Sequence, residues 1–283
     1  MQRSSNPVLG NLGTQGRQAA SQYGAGQSTA TMPGGGYQQA GYDMDAYGQG
    51  PADGAPAHRP ITIDDIVSKT SITLGVIATV GVGAFFLALN NLALMVPLLL
   101  VGGIGGFITV LVATFGRKMD SAPVTLIYAA FQGLFIGAIS LAFTYGMDDG
   151  VGMMIGQAIL GTFGVFAGML YVYKSGAIRV TPKFRRFMIG AIIGVLVLVL
   201  FNLFTFMLFG VSPLRDGGPM AIIFSLVVIG IAAFSFLLDF DAADQLVRAG
   251  APSKMAWGVA LGLAVTLVWL YVEILRLLSY FRD

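Results

Sequence analysis

The residues in this chain best suited to chemistry are acids set in apolar surroundings near its C-terminal end. Asp239, Asp241 and Asp244 cluster in FLLDFDAADQLVR, and Glu273 stands alone in LVWLYVEILRLL. A carboxylate in hydrocarbon is costly, by about 3 kcal/mol or more, so it needs a partner, a water-filled cavity or a proton. Such groups point to proton-linked or ion-linked work. On a continuing helix Asp241, Asp244 and Gln245 share one face, at i, i+3 and i+4, while Asp239 points elsewhere. The spacing does not match a calcium loop of the EF-hand kind, which needs a Gly turn and a distal Glu, so no metal ligand set is assigned. For Asp241 and Asp244 the plainer reading is a solvated helix end. Glu273 has Arg276 one turn later. Its plainer reading is an intrahelical pair snorkelling to water; the functional one is an intramembrane acid.

The elements that must hold these acids are membrane spans. Apolar runs lie at roughly 68–89, 94–116, 123–145, 151–173, 187–210, 219–240 and 255–281. Each is long enough to cross a bilayer at ~1.5 Å per residue. Connectors are short and carry breakers, among them Asn90-Asn91, Thr181-Pro182 and Gly250 to Pro252. The predicted fold is all-α: a polytopic membrane protein whose residues 61–283 form a seven-helix bundle. Thr62 followed by Asp65 is an N-cap with an acid in the first turn, so order begins there. The chain has no cysteine and one histidine, His58, which lies outside every span. Disulfides, thiolate metal sites and a catalytic Cys are thereby excluded, and a His-based catalytic site or membrane proton switch is not expected. No cofactor is expected. A near-neutral net charge of +2 carries no sign of a nucleic-acid partner.

Residues 1–60 are rich in Gly, Gln, Ser, Ala and Tyr and lack apolar periodicity, which predicts a disordered tail. Lys and Arg fix the orientation. Arg117 and Lys118 follow the second run, Lys174 to Arg186 the fourth, and Arg248 and Lys254 the sixth. The other three connectors hold Arg215 with Asp148, Asp149 and Asp216. This alternation predicts a multi-pass protein of the cell membrane with a cytoplasmic tail and an extracytoplasmic C-terminus. Gly102 with Gly106, and Gly164 with Gly168, are GxxxG steps predicted to pack helices closely. The run from Gly102 to Gly106 lacks the preceding strand and the Lys-Ser/Thr of a phosphate loop.

Three segments resemble the Bax inhibitor-1 (YccA-like) family of membrane proteins. FDAADQLV is similar to that family's Tyr-Asp-Thr-Gln-like segment, LYVEILRLL to its Leu-Tyr-Leu-Asp segment, and APVTLIYAAFQGLFIGAISL to its third-span pattern. The resemblance covers roughly 62–283. It implies a seven-helix bundle with the last helix at its centre. It also implies a pair of acids on spans six and seven that shares a proton and gates a calcium leak, with an Arg on span two latching the closed form. Carried over by position, the pair is Asp241 with Glu273 and the latch is Arg117, with Asp239, Asp244 and Arg276 as accessory residues. Two close carboxylates cannot both ionise cheaply, so such a pair responds to pH. Glu stands here for the usual Asp, and Gln132 where many relatives have Glu.

The connector between the two acids is long. Straight helices turning at Gly250 would leave Asp241 and Glu273 ~20 Å apart in height, at ~1.5 Å per residue. They meet only if part of the segment from Asp244 to Trp257 leaves the helix. Two functions follow as expectations: a pH-sensitive calcium or cation leak channel, or a membrane interaction protein that regulates other membrane machinery such as proteolysis. The implied partners are the lipid bilayer, transient cations and other membrane proteins. Neither a His-Glu-x-x-His nor a usable Gly-x-Ser-x-Gly is present, so an enzyme is not expected.

Overall fold

The computed structural model describes residues 59–281 except 148 and 213. The predicted disordered tail therefore lies almost entirely outside the described residues. Among the described residues seven α-helices follow one another: α1 Ile63–Asn90, α2 Met95–Phe115, α3 Ala122–Thr144, α4 Val151–Ser175, α5 Pro182–Phe209, α6 Pro219–Arg248 and α7 Ala256–Ser279. Short 3-10 turns at Leu92–Leu94 and Ser253–Met255 lead into α2 and α7. All seven are long and apolar enough to cross a membrane. The chain is thus an all-α, multi-pass protein, as its hydropathy predicts.

Local chemistry sets the helix starts. Thr62 caps α1 in a capping box: its hydroxyl accepts from the Asp65 N–H, and the Asp65 carboxylate accepts from Thr62 N at 3.0 Å. Thr181 caps α5 with Pro182 in the first turn, where a missing N–H is harmless. Two helices run past their predicted ends. α5 begins at Pro182 and α6 continues to Arg248, because the polar residues there are compatible with helix and stay in solvent.

Successive helices alternate in direction. One end of the bundle, the strap end, holds the starts of α1, α3, α5 and α7 and residues 59–62. The other is the far end. α7 is central, bounded by α1, α3, α4 and α6 and buried on most of its circumference. α5 lies at the edge and packs chiefly on α6. Glycine decides where backbones touch. A Cβ on Gly102 would meet the Phe135 N, the Phe131 carbonyl oxygen at 2.7 Å and the Phe135 Cα at 2.9 Å. So α2 and α3 are in backbone contact there, as the first GxxxG step predicts. The second step is different. Cβ atoms on Gly164 and Gly168 would meet nothing within 4 Å, so these glycines pack no helix among the described residues. They lie on the outer face of α4, and spacing alone cannot tell an inner from an outer face.

Candidate functional site on the α6–α7 seam

Helix periodicity decides which acids on α6 look at α7. Glu273 of α7 accepts from the Ser225 hydroxyl of α6 at 3.3 Å. At ~100° per residue, Asp239 lies fourteen residues on and within ~40° of the Ser225 direction, while Asp241 lies ~160° away. The bonds follow that geometry. Asp239 turns into the seam and accepts from the Thr266 hydroxyl of α7 at 2.7 Å. Asp241 faces outward and accepts from the Gln245 amide at 2.7 Å.

Asp241 and Glu273 therefore do not meet. Glu273 sits level with Ser225, and Asp241 lies sixteen residues further along the same helix, about 24 Å at ~1.5 Å per residue. The excursion that would bring them together is absent, because α6 is helical to Arg248 and α7 resumes at Ala256. Direct charge coupling reaches ~4–6 Å, so this pair cannot share a proton in this arrangement.

Asp241 and Asp244 line an open, polar cavity of about 450 Å³ at the strap end, with Tyr173, Lys174, Arg179 and Arg248. Asp244 pairs with Arg248 at 2.8 Å and accepts from the Tyr173 hydroxyl at 3.3 Å. Both acids thus belong to a solvated helix end. Arg117, the expected latch, is exposed on the α2–α3 connector with a left-handed φ of 53°. It makes no ion pair among the described residues. The ion pair near it is Lys254 with Asp120 at 2.6 Å, which ties the α6–α7 connector to the α2–α3 connector. Lys254, first by its hydrogen bond, holds the Asp120 carboxyl below the usual aspartate range.

Glu273 is buried rather than snorkelling. It is 3% exposed and bonded at 2.6 Å to Arg276, itself 8% exposed. The Arg276 guanidinium also lies 5.7 Å from the Phe143 ring centroid. Arg215, on the α5–α6 connector, stands close enough that burial and then Arg276 push its guanidinium below the usual arginine range. The far end of the seam thus holds an acid compensated by arginine.

The seam has two acids after all, Asp239 and Glu273. Thr266 and Glu273 lie seven residues apart on α7, on one face, about 10 Å apart in height at ~1.5 Å per residue. Thr266 is the residue that reading acids alone overlooks. Its place two turns before Glu273 was the available signal. Its hydroxyl has a second acceptor, the Gly262 carbonyl at 3.3 Å.

A family model described as Bax inhibitor 1 like matches residues 6–283. This chain belongs to the Bax inhibitor 1-like family. The match includes most of the segment before Pro60, further than the resemblance in residues 62–283 reaches. The central last helix that the resemblance implies is α7. No curated protein matches the chain. Among the described residues of this family member, no three acids or histidines converge as metal ligands.

Proposed function

We propose that this chain is a pH-responsive cation leak of the cell membrane, with Asp239 as the group that gains and loses the proton. The observation carrying this reading is the shared hydroxyl of Thr266. A hydroxyl has one proton to donate and lone pairs to accept. When Asp239 is ionised, Thr266 donates to it. When Asp239 is protonated, the new O–H donates to Thr266 Oγ, and the Thr266 proton turns to the Gly262 carbonyl one turn back. Both protonation states keep the seam hydrogen-bonded, so a proton moves in or out without leaving a buried polar group orphaned. The charge inside the seam changes while the helix contact persists. An ionised Asp239 attracts cations into the seam, and a neutral one does not.

Resemblance to the family suggests calcium as the ion, and hard cations take oxygen ligands. The Lys and Arg in the connectors at the strap end support a cytoplasmic position for that end. Glu273 with Arg276 acts as a fixed pair, Asp241 and Asp244 belong to the cytoplasmic vestibule, and no catalytic residue is assigned.

The test is calcium flux into liposomes across a pH series. Wild type gives a pH-dependent flux. Asp239→Asn and Thr266→Val flatten the dependence, and Asp241→Asn leaves it in place. Flux equal to empty liposomes at every pH removes the leak. An unchanged pH profile in Asp239→Asn removes the switch. The second reading, a partner of other membrane machinery, draws on α5, which packs chiefly on α6 and exposes Phe187, Phe201, Phe204 and Phe209. It gains if no flux appears and a membrane-protein complex is lost when that face is altered.

A further inference from the structure

The short segment before α1 is bound to the connector beside the seam. Pro60 and Pro252 form an isolated antiparallel bridge. Ile61 N donates to the Ala251 carbonyl at 2.7 Å, and Ser253 N donates to the Arg59 carbonyl at 2.9 Å. In this pattern the facing residues themselves exchange no bonds, so two prolines without N–H groups fit the position. Around the bridge, the Lys69 ammonium donates to the Ser253 carbonyl and lies 5.8 Å from the Trp257 ring centroid. Arg59 pairs with Asp65, the capping-box acid that fixes the turn into α1.

The bridge delivers one side chain inward. Ile61 is 2% exposed and belongs to the same buried cluster as Phe236, Phe240, Ala256 and Val259. Phe240 adjoins Asp239, and Val259 lies one turn before Gly262 on α7. The side chain is therefore packed at the strap end, in the cluster that Phe236 and Phe240 of α6 share with Ala256 and Val259 of α7.

We infer that residues 59–62 are a latch: Ile61 seals the seam at the strap end, and lifting it from Ala251–Ser253 admits water and ions to Asp239. The inference that lifting opens a leak rests on the function proposed above; the seal itself does not. Ile61 is a single apolar side chain on a short segment held to the connector by two backbone bonds, so the contact is able to break locally while the bundle stays folded.

The chain has no cysteine, so introduced thiols report alone. In full-length Thr266→Cys in liposomes, modification by a positively charged, membrane-impermeant thiosulfonate is measured with reagent on both faces. Adding Ile61→Asp speeds modification about tenfold or more, the scale set by losing one buried Ile. Ile61→Ala gives a smaller rise in the same direction, which guards against misfolding of the aspartate variant. Equal rates in all three proteins overturn the latch.

A second arm uses Pro60→Cys with Pro252→Cys, since facing non-hydrogen-bonded residues lie ~4.5 Å apart at Cα, within disulfide reach. Oxidation lowers calcium flux about tenfold or more and reduction restores it, as expected when opening needs local release. Flux that is present and indifferent to oxidation overturns the latch. If no variant carries flux while Thr266→Cys still responds to Ile61→Asp, the leak reading falls and the seal stands.

Discussion

Removing Arg276 is the sharpest perturbation of the seam, because it separates a buried ion pair from a solvated one. The pair is closed on both sides, at 3% and 8% exposure and 2.6 Å. At an effective dielectric constant of ~20, two unit charges at that distance attract by about 6 kcal/mol. Desolvation of two ions offsets most of this, so the net worth of the pair is small. The two single removals do not benefit from that cancellation. Arg276→Met keeps a long side chain against Phe143 but leaves Glu273 uncompensated, and the expected loss is about 3–5 kcal/mol. Glu273→Leu leaves Arg276 buried without its acid, and a loss of similar size is expected. Combining Glu273→Leu with Arg276→Met restores stability to within ~1 kcal/mol of wild type. Denaturant unfolding in detergent micelles measures this, and tryptophan fluorescence is a fitting probe because both tryptophans, Trp257 and Trp269, lie on α7. The same double variant retains a pH-dependent flux, because Asp239 is untouched. The reasoning is refuted if each single variant loses under ~1 kcal/mol, the range of a solvated surface pair.

Three further outcomes are expected. Gly102→Ala forces a Cβ into the α3 backbone and loses about 1–3 kcal/mol in the same unfolding assay, whereas Gly164→Ala, facing open space, is neutral or gains up to ~1 kcal/mol. Asp120, held below the usual aspartate range by Lys254, contributes stability above its unfolded-state pKa and loses it as pH falls through the lower folded-state value. Wild type should therefore exceed Asp120→Asn by a constant margin at pH 6–8, a margin that closes below about pH 4 in pH-dependent unfolding. Tyr271→Phe removes the 2.7 Å hydroxyl contact with Ser140 between α7 and α3 and orphans the serine, lowering stability by about 1–3 kcal/mol in thermal melts.

Much of the architecture was legible beforehand because it depends on local, additive properties. Seven apolar runs of helix-spanning length, broken by Asn, Pro and Gly, give seven helices among the described residues, since a helix satisfies every backbone hydrogen bond within its own segment. The cap at Thr62 needs only residues three apart, and it forms. The Glu273–Arg276 pair needs only one helical turn, and it forms too. Misreadings began where a statement required knowing which face of a helix is inward. Gly164 and Gly168 have the right spacing and the wrong face. Asp239, given only an accessory place because it points away from Asp241, is the α6 acid that faces α7.

The sequence by itself determined that this chain spans a membrane seven times, carries acids in its last two spans, and belongs beside the Bax inhibitor 1-like proteins. The tertiary structure alone decided which acids share a seam. That choice depends on helix rotation and register, which are fixed by packing between elements distant in the chain. A slip of two residues along α6 turns a side chain by ~200°, so Asp239 and Asp241, two residues apart, have opposite surroundings.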